Sequence, residues 1–169
     1  MKIISEQECL EWLHSNVEVD GASRTVIEAQ FVNCITYQLP SDTGRKTGIA
    51  RVVSQLIDTS QLGLFWITSW GIFPSSENMA LFEGYRQSLG EHRTVDVAPG
   101  HLFGSSDVQQ LESLLGLVLY FYWDANLFDG DGSFLIKISH DECISIHANG
   151  SADLRSIEAR LSCFDLKQI

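Results

Sequence analysis

Several side chains in this sequence have the types, though seldom the spacing, that chemistry requires. Asp42-Thr43-Gly44 matches the triplet of the aspartic proteases, but that chemistry needs two carboxylates sharing one proton inside an all-β frame, and a single copy is present. Asp, Thr and Gly are also ordinary turn formers, which is the simpler account. Arg45 and Lys46 follow directly, ahead of a helical pattern, and a helix N-terminus flanked by cations can hold an anion such as phosphate. The run GRKTG is not GxxxxGK[ST], because a glycine separated by four residues from an adjoining Gly-Lys-Ser/Thr is missing. Arg45 and Lys46 therefore stand as an alternative anion-binding pair, and no cofactor is expected.

Further along, Asp129, Asp131 and Gly132 resemble part of a calcium loop, but Leu127 stands where an oxygen ligand is needed and Ile138 where the terminal glutamate belongs. A hairpin turn accounts for them. Ser139, His140 and Asp141 supply the residue types of a catalytic triad, yet a triad converges in space, whereas consecutive residues of extended chain point to opposite faces. His140, Glu142 and His147, with His101 as a further ligand, could in principle surround a metal, but no helical His pair or HExxH fixes the geometry. A surface turn with a hydrogen-bonded histidine is the alternative, and no stoichiometric metal is expected. Asp124 directly follows Tyr120-Phe121-Tyr122-Trp123, where a carboxylate must be paired, solvated or shifted in pKa. Trp70, between Ser69 and Gly71, either seals the core or anchors a contact.

Helices and strands must position these residues, and the periodicity predicts both. Ser5 and Glu8 have capping-box spacing ahead of Cys9, Trp12 and Leu13, which predicts a helix over 5–15. Residues 25–39 have the β-branched and aromatic composition of a strand, and 41–48 reads as a turn-rich loop. Ile49, Val52, Val53, Leu56 and Ile57 then mark an amphipathic helix over 48–58. A short strand is predicted over 61–67, a loop through Gly71-Ile72-Phe73-Pro74-Ser75, a helix over 77–89, and a connecting loop over 91–104 where Pro99, Gly100 and Gly104 interrupt any period. Ser106 and Gln109 suggest a capped helix over 106–115, followed by strands near 118–128, 133–139 and 143–148 about the Asp129-Gly130-Asp131-Gly132 turn. Ser151 is placed to cap a last helix over 152–163. The late hairpins favour a single α+β domain, a mainly antiparallel sheet with helices packed on it, over alternating βαβ units.

The chain has 169 residues, 44% of them hydrophobic, enough for one domain with an ordinary core. With 22 acids against 11 Lys and Arg, its formal charge of -11 disfavours nucleic acid and anionic lipid and favours a basic protein partner. No apolar run is long enough to span a bilayer, and the N-terminal stretch lacks the apolar segment of a signal peptide, so a cytoplasmic location is expected. Cys9, Cys34, Cys143 and Cys163 form no CxxC pair and are expected as buried thiols in a reducing compartment.

Three stretches, LPSDTGRKTGIAR (39–51), ITSWGIFPSSEN (67–78) with the FEGYRQSLGE that follows it, and YFYWDANLFDGDGSFLIKISHDE (120–142), resemble a bacterial family of uncharacterised small proteins. In style they also resemble the immunity proteins of polymorphic toxin systems, in which an aromatic-Trp-Asp strand precedes a hairpin and a Ser-His-Asp-Glu turn. The resemblance implies a stoichiometric, non-enzymatic protein-binding role. Its concrete form is an immunity-type inhibitor that covers a basic toxin with carboxylates and an aromatic anchor. The expected contact residues are Trp70, Asp124, Asp129, Asp131, Asp141 and Glu142, with the acids gathered at one end of the sheet. Two alternatives stand beside it: a small enzyme or ligand-binding domain built on Asp124, His140, Glu142 and His147 or on the Arg45-Lys46 loop, and a structural subunit that self-associates.

Overall fold

In a computed structural model, which describes residues 1–17, 31–56, 61–70 and 76–169, Ser5 opens a helix as its spacing predicts. Its Oγ accepts from the Glu8 N–H at 3.3 Å, and the Glu8 carboxylate accepts from the Ser5 N–H at 2.8 Å. A short strand that the sequence did not announce, β1 (Lys2–Ile4), leads into this helix, α1 (Glu6–Asn16). The order continues β2 (Asn33–Gln38), α2 (Thr43–Ser54), β3 (Gly63–Ser69), α3 (Ser76–Ser88), β4 (Gly100–Phe103), α4 (Val108–Phe121), β5 (Asp124–Phe128), β6 (Phe134–Ser139), β7 (Cys143–Ala148), α5 (Ser151–Leu161) and β8 (Lys167–Gln168). The eight strands form one sheet in the order β1-β4-β3-β5-β6-β7-β2-β8. Every pairing is antiparallel, so the α+β class with an antiparallel sheet holds.

Alternation along the strands sorts the core onto two faces. Phe65, Ile67, Ala125, Leu127, Ile136, Ile138, Ile144 and Ile146 face one way and pack with Leu111, Leu114, Leu115 and Val118 of α4 and Ile49 and Val53 of α2. Leu64, Trp66, Phe128 and Leu135 face the other way, onto Cys9 and Leu13 of α1. Among the described residues no helix is long and apolar enough to cross a membrane.

Several boundaries differ from expectation. The second helix begins at Thr43, inside the stretch read as loop, because the Asp42 side chain accepts from the Arg45 N–H at 2.7 Å and so caps it. Gly48 then lies within this helix against the Phe164 ring, where a Cβ would collide. The helix predicted to stop near 115 runs to Phe121, and the strand predicted from 118 starts at Asp124. Packing of Val118 and Leu119 into the core overrides the strand-like composition of LVLYF. Tyr122, at φ 55°, ends the helix in the left-handed conformation, with the Trp123 N–H donating to the Val118 carbonyl. The cap carries no glycine that would have marked it in the sequence.

The 91–104 loop contains β4, whose Gly100 fits against Cys9 and Ile4 with no room for a Cβ. Ser106 belongs to a 3-10 turn over Ser105–Asp107, in which Asp107 accepts from the Gly104 N–H, and Ser151 is the first residue of α5 rather than its cap. Of the cysteines only Cys9 is buried. Cys34 and Cys163 are exposed and Cys143 is half-buried, because Cys34 and Cys143 alternate away from the face that carries Ile35 and Ile144. The first part of the strand predicted over 25–39, the end of the helix predicted over 48–58, and the Gly71-Ile72-Phe73-Pro74-Ser75 loop lie outside the described residues.

Candidate functional site

Antiparallel register builds the site at one end of the sheet. Ala125 pairs with Ile138, which brings Asp124, the first residue of β5, beside the turn that joins β6 to β7. That turn holds His140, Asp141 and Glu142, a three-residue connection closed by Glu142 at φ 60°. The Glu142 N–H donates to the Ser139 carbonyl at 3.1 Å, and the Glu142 carbonyl accepts from the Leu39 N–H at 2.7 Å. On the other side of β5, a register shift between Ile67 and Ser69 pairs Ser69 with Asp124. Trp70 therefore leaves the sheet at the same end, half-buried against the main core.

Asp124 is the hub. Its Oδ1 accepts from the His140 N–H at 2.7 Å, and both carboxylate oxygens lie 2.9 Å from His140 Nδ1. The side chain of His140 is 34% exposed, and its Nε2 stands 3.7 Å from an oxygen of Asp141. Hydrogen bonding and charge from Asp124 raise the His140 pKa above its ordinary value, and Asp141 adds to the rise. The partner of His140 is thus Asp124, sixteen residues away, and not the Asp141 of the Ser139-His140-Asp141 run. A carboxylate orienting an imidazole through Nδ1 is the arrangement that readies a histidine for proton transfer. Among the described residues no serine, threonine or cysteine side chain hydrogen-bonds to Nε2, so the site offers a titrating charge flanked by exposed acids rather than a primed nucleophile.

The five acids expected together divide between the two ends. Asp124, Asp141 and Glu142 converge, while Asp129 and Asp131 lie at the opposite end, in the loop joining β5 to β6. β5 itself accounts for a separation of ~15 Å at the strand rise per residue. Asp129 is buried where an exposed contact residue was expected: it is 2% exposed, and its carboxyl accepts from Ser133 Oγ at 2.6 Å and from the Phe134 N–H at 3.1 Å. Burial, reinforced by a hydrogen bond shared with Asp131, pushes its pKa up to about 7, and the same hydrogen bond holds Asp131 below its ordinary value. Asp129 therefore keeps the proton of the pair. Two grooves flank this loop. One, of about 260 Å³, is lined by Asp129, Asp131, Ser156 and Arg160 among others. The second, of about 410 Å³, is lined by Asn16, Phe31, Asp131 and Asn149 among others.

The remaining candidates are dispersed. His147 lies far along β7 from the His140 turn, buried with its Nε2 3.8 Å from Cys34 Sγ. His101 is buried on β4 against Phe65 and Phe82. Neither approaches His140 or Glu142 in the manner of a shared metal site, and among the described residues no three His, Cys, Asp or Glu side chains form such a group. Lys46 does not stand free for an anion beside Arg45. It is 4% exposed, with its ammonium 3.5 Å from the centroid of the Tyr122 ring, and the helix N-terminus is already taken by the Asp42 carboxylate. The sequence reading grouped Asp124 and His140 with Glu142 and His147 in one alternative site but did not pair the first two directly, although the hairpin centred on Asp131-Gly132 implies that pairing once the register is counted outward. Comparison with protein-family models, with curated proteins and with solved structures gave no match.

Proposed function

We propose that this chain is a protein-binding domain whose contact surface is the sheet end formed by Trp70, Asp124, His140, Asp141 and Glu142. One observation carries the reading: the register gathers a half-buried tryptophan, an oriented histidine–carboxylate pair and two exposed acids on one rigid edge. An aromatic anchor beside exposed charge suits a stoichiometric interface, the aromatic for residence time and the charge for encounter rate. The net charge of -11 makes a basic partner the complementary one. The finer form is an immunity-type inhibitor covering a basic toxin, and its support is the resemblance of the Trp-Asp strand, hairpin and Ser-His-Asp-Glu turn. The oriented imidazole favours a second reading, general acid–base catalysis by His140, for which a nucleophile or bound water at Nε2 is required.

The test uses wild-type protein and an Asp141→Asn/Glu142→Gln variant as paired baits for proteins of the source cell, followed by binding kinetics of any protein retained. Both substitutions lie at exposed positions, where charges contribute little to stability, so the fold is expected to be unchanged. The proposal expects a basic protein retained by wild type, with slower association and a flatter salt dependence for the variant. Absence of any protein that distinguishes the two baits refutes it.

A further inference from the structure

A permanently charged side chain lies sealed inside this protein with no counter-ion in contact among the described residues. Arg86, on α3, is 1% exposed. Its Nη2 donates to the Ala98 carbonyl at 2.6 Å, while Nε and Nη1 have no hydrogen-bond partner. The surrounding acids act only from a distance. The Glu91 carboxylate is engaged by Arg93 at 2.6 and 2.9 Å, a Glu83 oxygen accepts from the Val95 N–H at 3.2 Å, and Asp96 is exposed.

His101 lies nearby on β4, fully buried. Its Nδ1 is 3.3 Å from the Phe65 carbonyl oxygen, an acceptor only, so Nδ1 carries the proton. Burial, and then the charge of Arg86, drive its pKa down to about 3, leaving a neutral ring whose Nε2 is a bare lone pair without a donor. Phe82 touches both groups, its ring 6.1 Å from His101 and 5.9 Å from the guanidinium. Trp123 packs on the same phenyl ring at 5.0 Å.

A buried guanidinium with unfilled N–H groups and a buried nitrogen with an unfilled lone pair each carry a large desolvation penalty. One ligand meets both needs if it brings a negative oxygen to the guanidinium and an O–H to the imidazole. We propose that Arg86 and His101 form an internal receptor for a small, singly charged oxyanion that retains a proton, of the hydrogencarbonate type. The two residues divide the recognition. Arg86 neutralises the charge through Nε and Nη1, and His101 Nε2 accepts the proton-bearing oxygen, which a fully deprotonated carboxylate cannot supply. Both side chains are enclosed, Arg86 at 1% and His101 at 0% exposed. None of these residues belongs to the proposed protein-binding edge.

The experiment is thermal unfolding near neutral pH at constant ionic strength, with gluconate, a bulkier monoanion, replaced stepwise by hydrogencarbonate or by formate. Hydrogencarbonate is expected to raise the melting temperature with the logarithm of its concentration above Kd, the folded-to-unfolded ratio growing roughly 100-fold at a concentration 100 times Kd. Formate, with no proton to donate, is expected to act more weakly. Arg86→Met should fold, since replacing an unpaired buried charge by an apolar chain removes its desolvation cost, and it should show no hydrogencarbonate response. In the wild-type protein, independently of any variant, the His101 Nε2 resonance should move to saturation with hydrogencarbonate, with a Kd that agrees with the one the melting-temperature series gives. Any one of four results overturns the proposal: no rise of the melting temperature in wild type, an equal response to formate, a response retained in Arg86→Met, or a His101 resonance that does not move with hydrogencarbonate.

Discussion

Replacing Asp129 by asparagine is expected to make the protein more stable in mild alkali, although it alters a fully buried, doubly hydrogen-bonded carboxyl. In the folded state the Asp129 pKa is up at about 7, whereas in the unfolded chain it is ~3.9. A group whose folded pKa lies above its unfolded one contributes its full stabilisation below the unfolded value, loses it as pH rises toward the folded value, and is level beyond. The window here is therefore about pH 4 to about 7. Roughly three pH units at ~1.4 kcal/mol each give a loss of at most about 4 kcal/mol. Asp131, held below its ordinary value by the same hydrogen bond, returns part of it. The asparagine would imitate the protonated acid at every pH: its carbonyl can accept from the Phe134 N–H, its amide can donate to Asp131, and the Ser133 hydroxyl can rotate to suit. Urea unfolding of both proteins across pH 4 to 9 should give similar stabilities at the acid end. The variant should gain about 2–4 kcal/mol above pH 7. Carboxylates with lowered pKa values, such as Glu91 and Asp107, impose an opposite slope on both proteins and cancel in the difference. A difference flat across the window, or a variant less stable at alkaline pH, would refute the reasoning.

Two helical glycines test packing against propensity. Gly84→Ala on α3, with open space around the new methyl, should stabilise by roughly 0.5–1 kcal/mol. Gly48→Ala on α2, whose methyl collides with Phe164, should destabilise by about 1–3 kcal/mol despite the same propensity gain, and chemical denaturation reads both. Glu142→Gly should relieve the left-handed strain at φ 60° and raise stability by roughly 0.5–1 kcal/mol; a loss would mean that the turn is held by the Glu142 side chain. Asp124→Asn should bring the His140 pKa back down toward its ordinary value, measured by NMR titration of the ring. In the wild-type protein, the stabilisation from this pair is present below the ordinary histidine pKa and disappears as pH rises through the raised folded one.

Elements whose signals are local were legible in the sequence. The Ser5–Glu8 box, the Asp129–Gly132 hairpin and the β7 strand stand where spacing puts them. Signals that depend on tertiary contact were not. β1 and β4 are short strands whose pairing with each other and with β3 supplies their hydrogen bonds, and Gly100 reads as a breaker until Cys9 is seen to need its missing side chain. The α4 to β5 boundary was hidden because a tyrosine, rather than a glycine, takes the left-handed cap. At the candidate site, residue types were visible and partners were not. A hydrogen-bonded His140 in a surface turn was expected without a named partner, and only the pairing of Ala125 with Ile138 makes Asp124 that partner. The burial of Lys46 beside Arg45 was hidden for the complementary reason, since nothing near it in sequence announces that Tyr122 covers Lys46.

The two ends of the sheet respond to pH in the same direction by different chemistry. Below the raised pKa of His140, the Asp124–Glu142 end carries an added positive charge amid three carboxylates. Below about pH 7, the opposite loop carries one negative charge less because Asp129 holds the pair's proton. Acidification therefore weakens the negative potential at both ends. Alkali restores it, locally on an exposed edge in one case and inside a buried loop in the other. For a basic partner docking at the His140 edge, association should slow as pH falls through the His140 pKa. Asp129→Asn should leave that slowing nearly intact, because charges separated by more than a Debye length of ~8 Å are largely screened at physiological salt. Stopped-flow association rates for a retained partner, compared between wild type, Asp124→Asn and Asp129→Asn, separate the two ends. If Asp129→Asn abolishes the pH dependence and Asp124→Asn does not, the contact surface lies at the β5–β6 loop and the assignment of the edge is wrong.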